Sequence, residues 1–189
     1  YIPVHWCTDC RSALAEAEVE YYDKSSPAID VRFAVVDEAA LLARSDTVAG
    51  HGGQGPVAVA IWTTTPWTLP ANRAVALNPG LDYDVVQFEG EHGPERLIVA
   101  DALLKDVMAR LNVGEYRIVA YAAGSALEGL RLRHPFEDRE VPIVLGDFVT
   151  TETGTGAVHI APGHGTDDYA VGGRYHLPVE HAVQADEIG

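Results

Sequence analysis

The chain has 189 residues, 47% of them hydrophobic and 22% charged, the composition of a folded globular protein rather than a disordered or fibrous one. Its 13 basic against 28 acidic side chains leave a net charge of −15, the opposite of the basic surface by which an autonomous RNA or DNA binder grips phosphates. No run of about 18 apolar residues and no charged-then-apolar leader occurs, so neither a membrane span nor a signal peptide is expected, and the cytoplasm is the default compartment.

The chain opens at Tyr1 without a methionine and stops at Gly189 with no closing helix or strand expected there, the look of an excised piece. Cys7 and Cys10 stand as Cys-x-x-Cys in VHWCTDC. Two thiolates at this spacing supply half of a tetrahedral zinc site, whose other half must come from elsewhere. A plain pair of thiols is the alternative, and a redox pair a third, although no strand-to-helix switch of the thioredoxin kind comes after it. Residues 1–12 are therefore set apart as the stub of an adjoining zinc-ribbon-like module, and residues 13–189 as one domain.

Period-two patterns dominate the rest of the chain. In AEAEVEYY, Glu16, Glu18 and Glu20 alternate with Ala15, Ala17, Val19 and Tyr21, the pattern of a half-buried strand. Ile29, Val31, Phe33 and Val35 repeat it. Helical spacing appears at EAALLAR from Glu38. A strand is expected from Val57, then AVAL from Ala74, YDVVQF from Tyr83 and RLIVA from Arg96. A longer helix is expected over Ala100 to Leu111, with Leu103, Leu104, Val107, Met108 and Leu111 forming a stripe that packs on the sheet. Strands are expected again at YRIVAY from Tyr116, VPIVL from Val141 and GAVHIA from Gly156. HGGQGP, NPG and EGEHGP read as loops between them. The many short strands with turns between them predict a single β-rich α+β domain, barrel-like, with peripheral helices.

Two segments hold unusual chemistry. In WTTTPWTLPAN, Trp62 to Asn72, a buried-type strand runs into three threonines and is stopped by Pro66, which cannot continue a central ladder. The hydroxyls of Thr63, Thr64 and Thr65 and the freed backbone of a strand end can face a ligand, with Trp62 and Trp67 as apolar walls. The plainer alternative is three β-branched strand formers before an ordinary proline stop. In GTGAVHIAPGHGTDDY, Gly154 to Tyr169, His159 sits on a glycine-flanked strand, Gly163 and His164 on a turn, and Thr166 is placed to cap a helix whose first turn holds Asp167 and Asp168. Acids there are also explained by the helix dipole alone, worth roughly 0.3–1 kcal/mol. The glycines match neither the dinucleotide nor the phosphate-loop spacing. A metal-dependent hydrolase using His159, His164 and the aspartates is a further reading, weakened by the lack of a third histidine or carboxylate at ligand spacing.

WTTTPWTLPANRAVALNP and GTGAVHIAPGHGTDDYAVG closely resemble the editing domain inserted in the catalytic domain of isoleucyl-tRNA synthetases, and VHWCTDCRSALAEAEVEYYD looks like the bacterial form of that enzyme where the chain enters the insertion. Valyl and leucyl relatives typically have Thr-Thr-Arg-Pro in place of Thr63 to Pro66 and Pro-Ala-His in place of Pro162 to His164. The resemblance implies the barrel-like editing fold of the class I Val/Ile/Leu synthetases and post-transfer editing: hydrolysis of the ester of valyl-tRNA(Ile), with isoleucine excluded by size, the ATP-dependent ligase site lying elsewhere in the parent. A double sieve makes physical sense, because one methylene is worth only about 1–3 kcal/mol in an apolar pocket, and isoleucine against valine is the standard worked case of that limit.

By similarity, Asp168 holds the substrate's α-ammonium, His159 lies by the amino-acid side chain, and Thr63, Thr64, Thr65 and Asn72 line the terminal adenosine and the attacking water, with Trp62, Gly163 and His164 also in the substrate site. No cofactor is implied for editing, with zinc at Cys7 and Cys10 possible in the parent only. The implied partners are the valine-bearing 3′ end of tRNA(Ile) and the remainder of the synthetase, with no membrane and no DNA. The rival readings are the metal-dependent hydrolase and a non-catalytic zinc-ribbon binding module.

Overall fold

The computed structural model describes residues 4–7, 9–23 and 25–180. Parts of the expected stub and the expected bare C-terminus lie outside those residues. Twelve strands and three α-helices are described, in the order β1 (His5–Cys7), β2 (Ser12–Leu14), β3 (Ile29–Val35), α1 (Glu38–Ala43), β4 (Asp46–Thr47), β5 (Val57–Thr63), β6 (Ala74–Leu77), β7 (Asp82–Gly90), β8 (Gly93–Ala100), α2 (Leu104–Arg110), β9 (Tyr116–Ala123), β10 (Arg131–Arg133), β11 (Glu140–Leu145), β12 (Ala157–Ile160) and α3 (Thr166–Arg174). No helix among them is long and apolar enough to cross a membrane.

Ten strands form one sheet, ordered β12-β6-β11-β10-β3-β5-β8-β7-β9-β4, while β1 and β2 pair only with each other. The fold is α+β and β-rich as the patterning predicts, but the sheet does not close into a barrel. It coils instead: β12, at one edge, returns to lie against β5, and the Ala100 amide at the end of β8 donates to the Thr155 carbonyl just before β12 at 2.9 Å. That return requires close approach. Gly156 takes φ +78, and a Cβ there would stand 2.3 Å from Cβ of Ala100, so only glycine fits.

The core explains why the strands form where they do. Val59, Ile61, Val86, Leu97, Ile98, Leu132 and Ile143 are sealed within one cluster with Phe33 and Tyr83. Each buried aliphatic side chain contributes about 1.5–3 kcal/mol. The stripe Leu103, Leu104, Val107 and Met108 is buried on this cluster as predicted, although Asp101–Leu103 is a 3-10 turn and the α-helix proper begins at Leu104. A second, smaller cluster of Ala74, Ala76, Val144, Val149, Ile160 and Val171 joins β6, β11 and β12 to α3.

Several expectations fail for identifiable reasons. Ala15 to Tyr22 is not a strand: Glu16–Glu18 is a 3-10 turn in which the Ala15 amide donates to the Glu18 carboxylate at 2.8 Å. Alternation needs a partner strand and a face to bury, and Tyr21 and Tyr22 are each 81% exposed. EGEHGP is not a loop but the tip of a hairpin in which Gly90 pairs with Gly93. The hairpin β1–β2 runs to Leu14, across the boundary set at residue 12. Strands β4 and β10 carry no pattern long enough to be read.

Candidate active site

The two unusual segments meet. Thr63, Thr64 and Thr65, with Trp62 and Trp67, line one side of a cavity of about 490 Å³, and His159, His164 and Asp168 line it too, with Phe148 and the stretch Thr153–Val158 between. One wall is the end of β5 and the 3-10 helix Pro66–Ala71 beyond it. The other is β12 and the start of α3.

The threonine wall is folded by its own hydroxyls. Oγ1 of Thr63 accepts the Thr65 amide at 3.0 Å, a local turn that competes with strand continuation just where proline ends the ladder. Thr63 is buried, Thr64 and Thr65 are exposed to the cavity side, and Trp67 is 54% exposed. Thr68, which sequence reasoning passed over, is buried. Its hydroxyl donates to the Thr65 carbonyl at 2.9 Å, so the same oxygen is left to accept from Nε2 of His159 at 3.1 Å.

That pair assigns the His159 ring as the Nε2–H tautomer. Its Nδ1 is buried without a hydrogen-bond partner. The ring is 7% exposed on β12, opposite Val75 of β6, and burial holds its pKa down to about 4, helped by the nearby His134 and His164. At neutral pH it is an uncharged, packed wall rather than a cation. Asp168, in the first turn of α3, accepts the Ala161 amide on Oδ2 at 2.8 Å. Burial raises its pKa, with the Ala161 bond opposing. A carboxylate that burial penalises is one that a bound cation relieves. Gly165 makes room for it, since a Cβ there would stand 3.2 Å from the Asp168 carboxyl.

Three expected roles move. Asn72 is fully buried, donates its Nδ2 to the Ala74 carbonyl at 2.8 Å and is outside the cavity lining. Gly163 is likewise outside the lining, on the turn where the His164 amide bonds the Ala161 carbonyl. Thr166 does not cap α3: the cap is Gly165, and Thr166 is the first helical residue. Cys7 and Cys10 are free and outside the cavity lining. The Cys10 amide donates to Sγ of Cys7 at 3.2 Å and lowers the Cys7 pKa, which favours thiolate. Two sulfurs are half of a structural zinc site. Among the described residues no group of three His, Cys, Asp or Glu is placed to hold a metal ion.

Residues 104–188 match the family described as the editing domain of leucyl-tRNA synthetase. The chain is 65% identical over 184 residues to the isoleucine–tRNA ligase of Methylococcus capsulatus, covering 97% of this chain and 19% of that one. It is 60% identical over 186 residues to the isoleucine–tRNA ligase of Aeromonas hydrophila, covering 98% and 19%. The chain thus spans about a fifth of the length of these relatives. The cytosolic leucyl-tRNA synthetase editing domain of P. knowlesi superposes with TM-score 0.63 at 15% identity, over 76% of this chain and 61% of that one. That of P. falciparum gives 0.59 at 13%, over 76% and 63%. At such identities the likeness concerns the fold.

Proposed function

The chain belongs to the editing-domain family of the aminoacyl-tRNA synthetases, of the isoleucyl-tRNA synthetase kind, and on that premise we propose that it hydrolyses the aminoacyl ester of valyl-tRNA(Ile) and excludes isoleucine by size. The observation that carries the reading is the sharing of one cavity by the three threonines, the buried neutral His159 and Asp168. Water adds to the ester carbonyl, the bond from that carbon to the ribose oxygen breaks, and free valine and uncharged tRNA leave.

Each residue has a part that its surroundings support. Asp168, penalised by burial and fixed by the Ala161 amide, takes the α-ammonium through a charge-assisted bond. His159, locked by Thr68, presents a fixed surface to the amino-acid side chain, and its neutrality avoids repelling that ammonium. Thr64 and Thr65 offer hydroxyls to the terminal adenosine and the water, with Trp62, Trp67 and His164 around them. The chemistry is positioning of water and stabilisation of the oxyanion, with no covalent nucleophile. The tRNA body, which a chain of net charge −15 is poorly suited to grip, is held by the remainder of the synthetase. Cys7 and Cys10 would supply half of a zinc site in the whole synthetase, completed by two ligands from elsewhere, with no part in editing.

The test is valine release from valyl-tRNA(Ile) with and without a strong chelator. Hydrolysis that survives chelation is expected. Hydrolysis abolished by chelation and restored by a divalent metal would instead identify a metal-dependent hydrolase, and loss of activity only when both cysteines are replaced would point to the zinc-ribbon reading.

A further inference from the structure

Against the threonine wall, but outside the cavity lining, lies a histidine that the proposed chemistry does not use. His134, the residue after β10, is 3% exposed. Its Nδ1 accepts the Glu137 amide at 3.0 Å, so the ring proton sits on Nε2, which donates to the carbonyl of Leu69 at 3.0 Å. Phe33 and Phe136 pack edge-on against the ring at 5.6 and 4.6 Å between centroids. The next carbonyl along, that of Pro70, accepts from the guanidinium of Arg139. Two consecutive carbonyls of the 3-10 helix Pro66–Ala71 are thus clamped by the turn between β10 and β11.

That helix needs such a clamp. Pro66 and Pro70 bring no N–H, and its own backbone bonds include those from Thr68 to Thr65 and from Asn72 to Leu69. Its residue Thr68, adjacent to the clamped Leu69, fixes His159. We propose that His134 is a positioning residue for the editing site, holding the threonine wall against β12 through Leu69 so that the Thr68–His159 contact, and with it the size limit on the amino-acid side chain, is kept. Arg139 is its second arm. The inference rests on the editing reading for its functional part and on the clamp geometry for its structural part.

The experiment replaces His134→Phe, which keeps the ring's bulk but loses both polar links, and His134→Gln, whose amide can still donate towards Leu69. In the full-length synthetase, valine and isoleucine release are each resolved into kcat and KM. In His134→Phe the preference for the valyl over the isoleucyl ester is expected to fall about tenfold, chiefly through kcat, as a displaced wall requires, with His134→Gln recovering part of it. In parallel, the ring ¹⁵N signals of His159 and the exchange of the Thr68 amide are expected to shift in His134→Phe and not in His134→Gln. Wild-type preference and unchanged His159 signals in a folded His134→Phe protein would overturn the proposal. Should that variant fail to fold, Arg139→Met, which releases Pro70 from a more exposed side, is read the same way, and an unchanged preference there overturns it. If the wild-type synthetase hydrolyses neither ester, the editing reading fails, and the ¹⁵N and exchange measurements still decide whether His134 sets the wall.

Discussion

The two walls of the cavity are built by different means. The wall formed by β12 and α3 is held by main chain: β12 is in register with β6 from Ala157 opposite Leu77 to Ile160 opposite Ala74, and Asp168 hangs from the Ala161 amide. The threonine wall leaves the main-chain ladder after Thr63, which still pairs with Ile29 of β3, and beyond that point it is held largely by side chains, from Thr63 and Thr68 within it to Ser26, His134 and Arg139 reaching in from elsewhere. Backbone ladders set position regardless of side-chain identity, so a substitution on the first wall changes the chemistry at that residue. On the second, a substitution several ångströms behind the cavity moves the surface in front.

The sharpest way to break this contrast is at Asp168. Asp168→Ala or Asp168→Asn is expected to lower valine release about a hundredfold, the scale of loss when a reacting ester is misplaced by about 1 Å. Thermal melts of Asp168→Asn, whose amide oxygen can still accept from the Ala161 amide, should change little, whereas Asp168→Ala orphans that buried amide and should cost roughly 1–3 kcal/mol. Near-normal valine release would return Asp168 to a purely structural role. Next in size is His159→Ala, which removes the ring from the side-chain pocket and should raise isoleucine release about tenfold, within the roughly 1–3 kcal/mol that a pocket of changed size is worth. Isoleucine release that stays at its wild-type value would show that the ring is no barrier.

Acid sharpens the comparison in two directions. His159 has its pKa lowered from 6.5 to about 4 in the fold, so the stability it confers is present above pH 6.5 and is lost as pH falls through about 4. Asp84, buried on β7 beside Asp101, has its carboxyl raised from 3.8 to about 6, burial being the main cause, so stability is greatest below pH 3.8 and is lost as pH rises through about 6. The two slopes oppose each other in the wild type. Denaturant melts from pH 4 to 7 should therefore show Asp84→Asn more stable than wild type at pH 7 by about 1–2 kcal/mol, converging towards pH 4. His159→Gln should lose the downward slope between pH 6.5 and 4. Parallel curves for variant and wild type would contradict both assignments. The smallest effect belongs to Thr166→Ala. Because Gly165 and not Thr166 caps α3, the change should stay within about 0.5 kcal/mol in a thermal melt.

Legibility in the sequence divides along the same line. Strands β5, β6, β7, β8, β11 and β12 announce themselves because each buries a run of apolar residues, and residues of both unusual segments that touch the cavity, among them Thr63 to Thr65, Trp62, His159, His164 and Asp168, stand inside recognisable local patterns. The stretch Ala15 to Tyr22 misleads because alternation records side-chain chemistry and not the presence of a neighbouring strand. Asn72 misleads because it lies in the motif yet turns its amide into the core. His134 is invisible: the bond that gives it meaning joins residues 65 positions apart, and no local spacing encodes such a contact.

The proposed function requires one cavity to cleave the smaller ester and refuse the larger. Initial rates of amino-acid release from valyl-tRNA(Ile) and isoleucyl-tRNA(Ile), measured side by side on one preparation of the synthetase whose ligase site is kept idle by withholding ATP, test it most directly. Valine should leave rapidly while isoleucine stays attached, lost at close to its rate in buffer alone. Equal rates for the two esters, or valine loss no faster than in buffer, would contradict it.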